Sequence, residues 1–257
     1  MKQEIFLYLI GTAGSGKSNL AYNFKQWTNV HGLDSIVVNL DPGAENLPYN
    51  PDVDIRDWVK LSEVMESHSL GPNGAQIACA DMLALNTDEI KKSIESFKTD
   101  FIIIDTPGQI ELFVFRESGK CIINTLKPKR SITGYLIDHV LAKNPSGFIS
   151  QLLLSLSTQF RLGIPQINLL SKVDLLTDHE KDEVLSWSKD ADALELAISN
   201  QQPTIYREMS EEILRSLTSF MQQSTLFPVS KNEFLGMDDL YTHLQFIFEG
   251  GEDVLSD

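Results

Sequence analysis

Short apolar runs alternate along this chain with longer stretches in which apolar residues recur every three or four positions. The first run is Ile5-Phe6-Leu7-Tyr8-Leu9-Ile10, and others lie at 35–40, 101–104, 132–140, 165–170 and 225–229. Each reads as a strand, with Gly134 weakening the one that contains it. Between them, residues 17 to about 31 read as a helix ended by Gly32. Residues 55 to about 67 read as a helix that buries Ile55, Trp58, Val59, Leu61 and Val64. Further helices are expected at 75 to about 97, 110–126, 148–161 and 236–248, and through the acidic stretch from 177 to about 223, which Gln201-Gln202-Pro203 interrupts. Asp41-Pro42-Gly43 breaks a strand, and Gly71-Pro72-Asn73-Gly74 reads as a compact loop. Alternation of this kind predicts an α/β fold, a mostly parallel sheet flanked by helices on both faces, with helical insertions. Residues 1–248 are expected to form one domain, and 249–257, rich in acids and glycine, a frayed tail.

The first strand runs into Gly11-Thr12-Ala13-Gly14-Ser15-Gly16-Lys17-Ser18, which has the form G-x-x-x-x-G-K-[ST]. A strand that ends in a glycine loop and opens a helix aims successive backbone N–H groups at one small volume, which suits the oxygens of nucleotide phosphates. The fold expectation narrows accordingly to a P-loop NTPase. Gly11, Gly14, Ser15, Gly16, Lys17, Ser18 and Asn19 are the expected contacts, with Lys17 reaching the terminal phosphates and the Ser18 hydroxyl serving Mg²⁺.

Two further segments extend this reading. Asp105-Thr106-Pro107-Gly108 follows an Ile-rich strand and has the form D-x-x-G, in which a carboxylate can hold Mg²⁺ and Gly108 lets a backbone N–H approach the γ-phosphate. Gln109 stands next to it, where a neutral amide can orient an attacking water. Ser171-Lys172-Val173-Asp174 has the form [NTS]-K-x-D, in which Asp174 accepts from the N1–H and N2–H₂ groups of guanine, donors that adenine does not offer in that arrangement. Lys172 would pack its stem along the base, and Ser230, just after the last strand, lies where backbone N–H meets the guanine oxygen.

Charge and composition remove other classes. The 257 residues are 42% hydrophobic and carry a formal charge of -15, from 21 Lys and Arg against 36 Asp and Glu. Such a surface repels nucleic acid and anionic lipid over a screening length of about 10 Å. Cys79 and Cys121 lack C-x-x-C spacing and read as reduced core residues, and His31, His68, His139, His179 and His243 show no ligand spacing. No apolar run reaches the roughly 18 residues of a membrane span. A cytoplasmic protein that binds neither nucleic acid directly nor membrane is the expectation.

Together these motifs resemble those of the GPN-loop GTPases, and the chain looks like the shorter archaeal members. The resemblance rests on Gly11 to Ser18, Asn39-Leu40-Asp41-Pro42-Gly43, Asp54-Ile55-Arg56-Asp57, Leu70-Gly71-Pro72-Asn73-Gly74, the segment from Asp105 to Phe113, and Ser171 to Asp174. It implies a Mg²⁺-dependent GTPase acting as a homodimeric switch, in which Gly71, Pro72 and Asn73 reach toward the opposite subunit's nucleotide. It further implies that Asp41 and Gln109 handle the attacking water and that Ser18, Asp105 and Asp41 serve the metal. By analogy with eukaryotic relatives it suggests an assembly factor for a large client such as RNA polymerase. The apolar stripe with Leu112, Phe113 and Phe115 reads first as core, and after the Asp105 motif these residues could couple nucleotide state to a groove for a client peptide. Gly43 stands where many relatives carry Ala, and Ser171 where Asn is commoner. A nickel-insertion GTPase, a non-hydrolysing scaffold and an ATPase are the other readings weighed, the first lacking its Cys/His cluster.

Overall fold

The computed structural model describes residues 4–126, 128–221, 225–232 and 234–249. Strands β1 (Ile5–Gly11), β2 (Ser35–Asn39), β3 (Val53–Asp54), β4 (Phe101–Asp105), β5 (Ser131–Ile137), β6 (Gln166–Leu170) and β7 (Leu226–Pro228) make one sheet in the order β3-β2-β4-β1-β5-β6-β7. Every pairing is parallel, and β1 holds the centre, with Leu7 opposite Ile103 of β4 and Ile132 of β5.

Side chains of successive strand residues point to opposite faces, so an unbroken apolar run needs cover on both. In β1, Ile5, Leu7 and Leu9 pack on the face covered by α1 (Lys17–Val30) and α12 (Met237–Glu249). Phe6, Tyr8 and Ile10 pack on the other face, under α3 (Pro72–Leu85), α4 (Thr87–Glu95), α6 (Glu117–Leu126) and α8 (Pro145–Leu162). The remaining helices are α2 (Leu61–His68), α5 (Ile110–Phe113), α7 (His139–Ala142), α9 (Asp178–Lys189), α10 (Ala191–Ser199) and α11 (Ile205–Met221). No helix among the described residues is long and apolar enough to cross a membrane.

Several expected elements are divided, each for a local reason. The helix expected from residue 55 is a 3-10 turn, Ile55–Asp57, capped by the Asp54 carboxylate, and α2 begins only after extended Lys60, where the Leu61 N–H donates to the Pro42 carbonyl. Gly71-Pro72-Asn73-Gly74 is no loop: Gly71 caps α3 and Pro72 is its first residue, where its missing N–H costs nothing. The helix expected over 75–97 breaks at Asn86, whose side chain donates back to the Met82 carbonyl. That over 110–126 divides into α5 and α6, which pack so closely that a Cβ on Gly119 would lie 2.2 Å from the Phe113 carbonyl oxygen. The strand expected to reach residue 140 ends at Ile137, because Asp138 caps α7 through the Val140 N–H. Asp190 divides the acidic helical region again by capping α10. Phe113 is buried in the core, as its apolar stripe implied, whereas Phe115 is exposed beneath the Arg161 guanidinium. Beyond Glu249, the tail expected over 249–257 lies outside the described residues.

Candidate functional site

The loop between β1 and α1 has the geometry its glycines permit. Gly14 and Gly16 take φ of 75° and 100°, a region that side chains disfavour, and a Cβ on Gly11 would lie 2.9 Å from the Leu136 carbonyl oxygen. Helix α1 starts with no side-chain cap and no acid in its first turn, so its N-terminal N–H groups are left for an anion. Lys17 is 5% exposed, and its ammonium donates to the carbonyls of Gly11 at 2.9 Å, Thr12 at 3.0 Å and Gly108 at 3.2 Å. Burial lowers its pKa, against which the charges of Asp105 and Asp41 act. One amine thereby links the glycine loop to the segment after β4.

Asp105 ends β4 and is 2% exposed. Its Oδ2 accepts from the Tyr49 hydroxyl at 2.6 Å, while Oδ1 is buried with no hydrogen-bond partner among the described residues. Burial pushes its pKa up, opposed by Tyr49, Ser18 and Lys17, and burial with the Asp105 charge raises that of the Tyr49 phenol. A buried, orphaned carboxylate oxygen beside the Ser18 hydroxyl is the donor set expected of one or two protein ligands to Mg²⁺. No group of three or more His, Cys, Asp or Glu side chains among the described residues could cage a metal, so phosphate and water would complete the shell. No sequence motif singles out Tyr49. Its only signal was an aromatic side chain inside the polar, proline-bearing stretch after β2.

Asp41 is fixed from both sides. Its Oδ1 accepts from the Gly43 N–H at 2.9 Å and its Oδ2 from the Gly108 N–H at 3.1 Å, which brings the segment after β2 against the segment after β4. Asn39, Asp54 and Arg56 frame that segment: Asn39 donates to Asp54 at 2.9 Å, Arg56 pairs with Asp54 at 2.6 Å, and Arg56 also donates to the Ala44 carbonyl at 2.7 Å. Gly43 is tight, since a Cβ there would lie 3.3 Å from Leu61 Cδ2. Gln109 is exposed and shares a cleft of about 440 Å³ with Thr12, Ala13 and Asn73. Gly71 and Pro72 are exposed at the start of α3 and lie outside that lining.

A second cavity, of about 300 Å³, brings together Ser15, Gly16, Asn19, Lys172, Asp174 and Ser230, with Ser171 also in its wall. The Lys172 ammonium donates to the Gly14 carbonyl at 2.6 Å, and its backbone takes φ of 56° to turn the chain there. The Ser171 hydroxyl donates to the Ile137 carbonyl at 3.0 Å, so this residue joins the ends of β6 and β5. The Ser230 hydroxyl donates to Asp174 Oδ1 at 2.9 Å. Asn23, which sequence reasoning missed, lines the same cavity and donates to the Ser230 carbonyl at 3.2 Å. It lies outside the motif, two turns into α1, where nothing local marks it.

Comparison with known proteins agrees with this geometry. Residues 9–250 match the family described as "Conserved hypothetical ATP binding protein". The chain is similar to GPN-loop GTPase 3 of Mycosarcoma maydis, with 30% identity over 259 residues covering 95% of this chain and 91% of that protein. GPN-loop GTPase 1 of Dictyostelium discoideum is 30% identical over 243 residues, 93% of this chain and 60% of that protein. Several curated relatives are longer, and the aligned region spans 54% to 62% of their length. Among solved structures, a GTPase from Pyrococcus abyssi in its apo form matches with a TM-score of 0.83 and 30% identity, over 93% of this chain and 96% of that one. The fold is therefore that of a P-loop NTPase, an all-parallel sheet between helices, as the strand–helix alternation implied. Likeness at this level across nearly the full length of both GPN-loop GTPase 3 and the Pyrococcus protein places the chain in the GPN-loop GTPase family.

Proposed function

We propose that this chain binds GTP with Mg²⁺ and hydrolyses it to GDP and phosphate, as a homodimeric switch that assists assembly of a large complex such as RNA polymerase. The observation that carries the nucleotide reading is the cavity that joins Ser15 and Gly16 of the glycine loop to Lys172 and Asp174. It offers phosphate donors at one end and, at the other, a carboxylate whose Oδ1 is already held by Ser230. Guanine supplies two donors to such a carboxylate, whereas adenine would leave it facing an acceptor, a difference of about 1–3 kcal/mol. That asymmetry favours GTP over the ATP named in the family description.

The parts then divide as follows. The α1 N-terminus and Lys17 bind the phosphates, and Lys17 must trade carbonyl partners for phosphate oxygens as it does so. Ser18 and Asp105 are the residues that would hold Mg²⁺, with Asp41, whose charge acts on Asp105, as the further carboxylate toward it; when bound, the ion would neutralise charge on the phosphate oxygens. Gln109 orients the attacking water, and Asp41, anchored by Gly43 and Gly108, keeps the segments around it in register. Gly71, Pro72 and Asn73 act at the neighbouring copy's nucleotide. Their exposure at a helix start, with Asn73 on the rim of the Gln109 cleft, supports this. The charge of -15 supports a partner that is protein, with no direct contact to nucleic acid or membrane. The polymerase client rests on the family resemblance, the cytoplasmic setting on Cys79 and Cys121 lacking any C-x-x-C partner, and the single domain over 1–248 on the strand–helix alternation.

Direct competition between GTP and ATP tests the reading, and tighter ATP binding would overturn it. In the same assay Lys17→Ala is expected to abolish nucleotide binding, whereas Gln109→Ala retains binding and slows hydrolysis.

A further inference from the structure

Ser230 is a joint held at four points. Its N–H donates to the Leu235 carbonyl at 3.4 Å, its hydroxyl accepts from the Asn232 N–H at 3.0 Å and donates to Asp174 Oδ1 at 2.9 Å, and its carbonyl accepts from Asn23 Nδ2 at 3.2 Å. The first two bonds are local to the turn after β7. The last two leave it in opposite directions, to the carboxylate expected to read the base and to α1, the helix that begins at Lys17. Asn23 is 7% exposed and lines the cavity in which both ends meet.

A carboxylate rotates easily about its last side-chain bond, since that torsion is broad. Asp174 is exposed, and among the described residues Ser230 supplies the hydrogen bond that orients it. The orientation is therefore only as firm as the turn that carries Ser230, and Asn23 is the side chain that fastens this turn to α1. We propose that Asn23 is a positioning residue for purine discrimination: acting through Ser230, it aims the Asp174 carboxylate at the base and ties base reading to the phosphate-binding helix. This rests on the guanine reading above.

The test is a competition series with GDP, IDP and ADP on the full chain. IDP lacks the 2-amino group that Asp174 would bind, so the GDP-to-IDP affinity ratio reads the aim of the carboxylate. Asn23→Asp keeps the size of the side chain and removes the donor. It is expected to lower that ratio by roughly three- to tenfold, the range of one ordinary hydrogen bond. Asn23→Ala should do the same, and combining Asn23→Ala with Ser230→Ala should lower the ratio no further than Ser230→Ala alone, because the two act in series. A merely structural role would weaken GDP and IDP equally, so an unchanged ratio in Asn23→Asp overturns the inference, as does additivity in the double variant. A wild-type chain that binds ADP as well as GDP would overturn the guanine reading itself, and this inference with it.

Discussion

Tyr49 donates its hydroxyl hydrogen to Oδ2 of Asp105 at 2.6 Å, in a setting where Oδ1 of the same carboxylate is buried and has no hydrogen-bond partner among the described residues. The two residues come from different segments, the stretch after β2 and the end of β4, so a neutral phenol from one fixes which oxygen of the other remains available. Tyr49 thereby occupies one oxygen of the carboxylate and leaves the other, buried one unpaired.

Tyr49→Phe should lower the affinity for Mg²⁺ in the nucleotide complex by roughly tenfold, the lower end of what loss of a ligand's supporting hydrogen bond costs. Burial raises the Asp105 pKa and the Tyr49 hydrogen bond opposes that rise, so removing the phenol also favours the protonated carboxyl. Nucleotide release measured against Mg²⁺ concentration reads the effect; an unchanged Mg²⁺ midpoint would show that Tyr49 only fills space.

Gly119→Ala should destabilise the fold by about 1–3 kcal/mol, the usual cost of forcing extra volume into a packed site. The added Cβ would lie 2.2 Å from the Phe113 carbonyl oxygen, which is backbone and has no rotamer by which to yield. Denaturation midpoints in urea measure this, and a wild-type midpoint would mean that α5 can slide away from α6 at little cost.

Gly71→Ala is expected to behave in the opposite way. Gly71 has φ of -69°, an ordinary value for any residue, and a Cβ there would meet nothing within 4 Å among the described residues. The folded chain has no use for glycine at this position, so stability should change by less than about 0.5 kcal/mol. If the tripeptide works against a second copy, turnover should fall while the unfolding midpoint holds. Wild-type turnover at all protein concentrations would remove Gly71 from the mechanism.

His139 should make stability fall on acidification. Burial lowers its pKa from 6.5, with Asp138 and Asp174 opposing and Lys172 and Lys143 assisting the shift. Between 6.5 and the lower folded value the unfolded chain binds the extra proton, so stability present above pH 6.5 is lost as the pH drops through that window. His139→Asn removes this term and should narrow the gap between urea midpoints at pH 7.5 and pH 5.5. His243, also shifted down by burial, leaves part of the gap in place.

Sequence alone determined the α/β architecture and the glycine loop, because both are written in contiguous residues. Six apolar residues in a row need cover on both faces, and a G-x-x-x-x-G-K-S loop between strand and helix has few other uses. The same holds for Asp105 and for Lys172 and Asp174, each placed at the end of a strand by its own segment. What tertiary structure decided is which of these ends meet and what lies between them. Asp41 reaches Gly108 across 67 positions, Ser230 reaches Asp174 across 56, and Asn23 reaches Ser230 across 207. No local periodicity encodes such contacts, since they follow from strand order in the sheet. Tyr49 and Asn23 were missed for that reason, as each acquires its role only from a distant partner. Element boundaries failed on a shorter range, for helices at Lys60, Asn86 and Asp190 and for a strand at Asp138, where a side chain or a neighbouring backbone group outcompeted the apolar pattern for the next hydrogen bond.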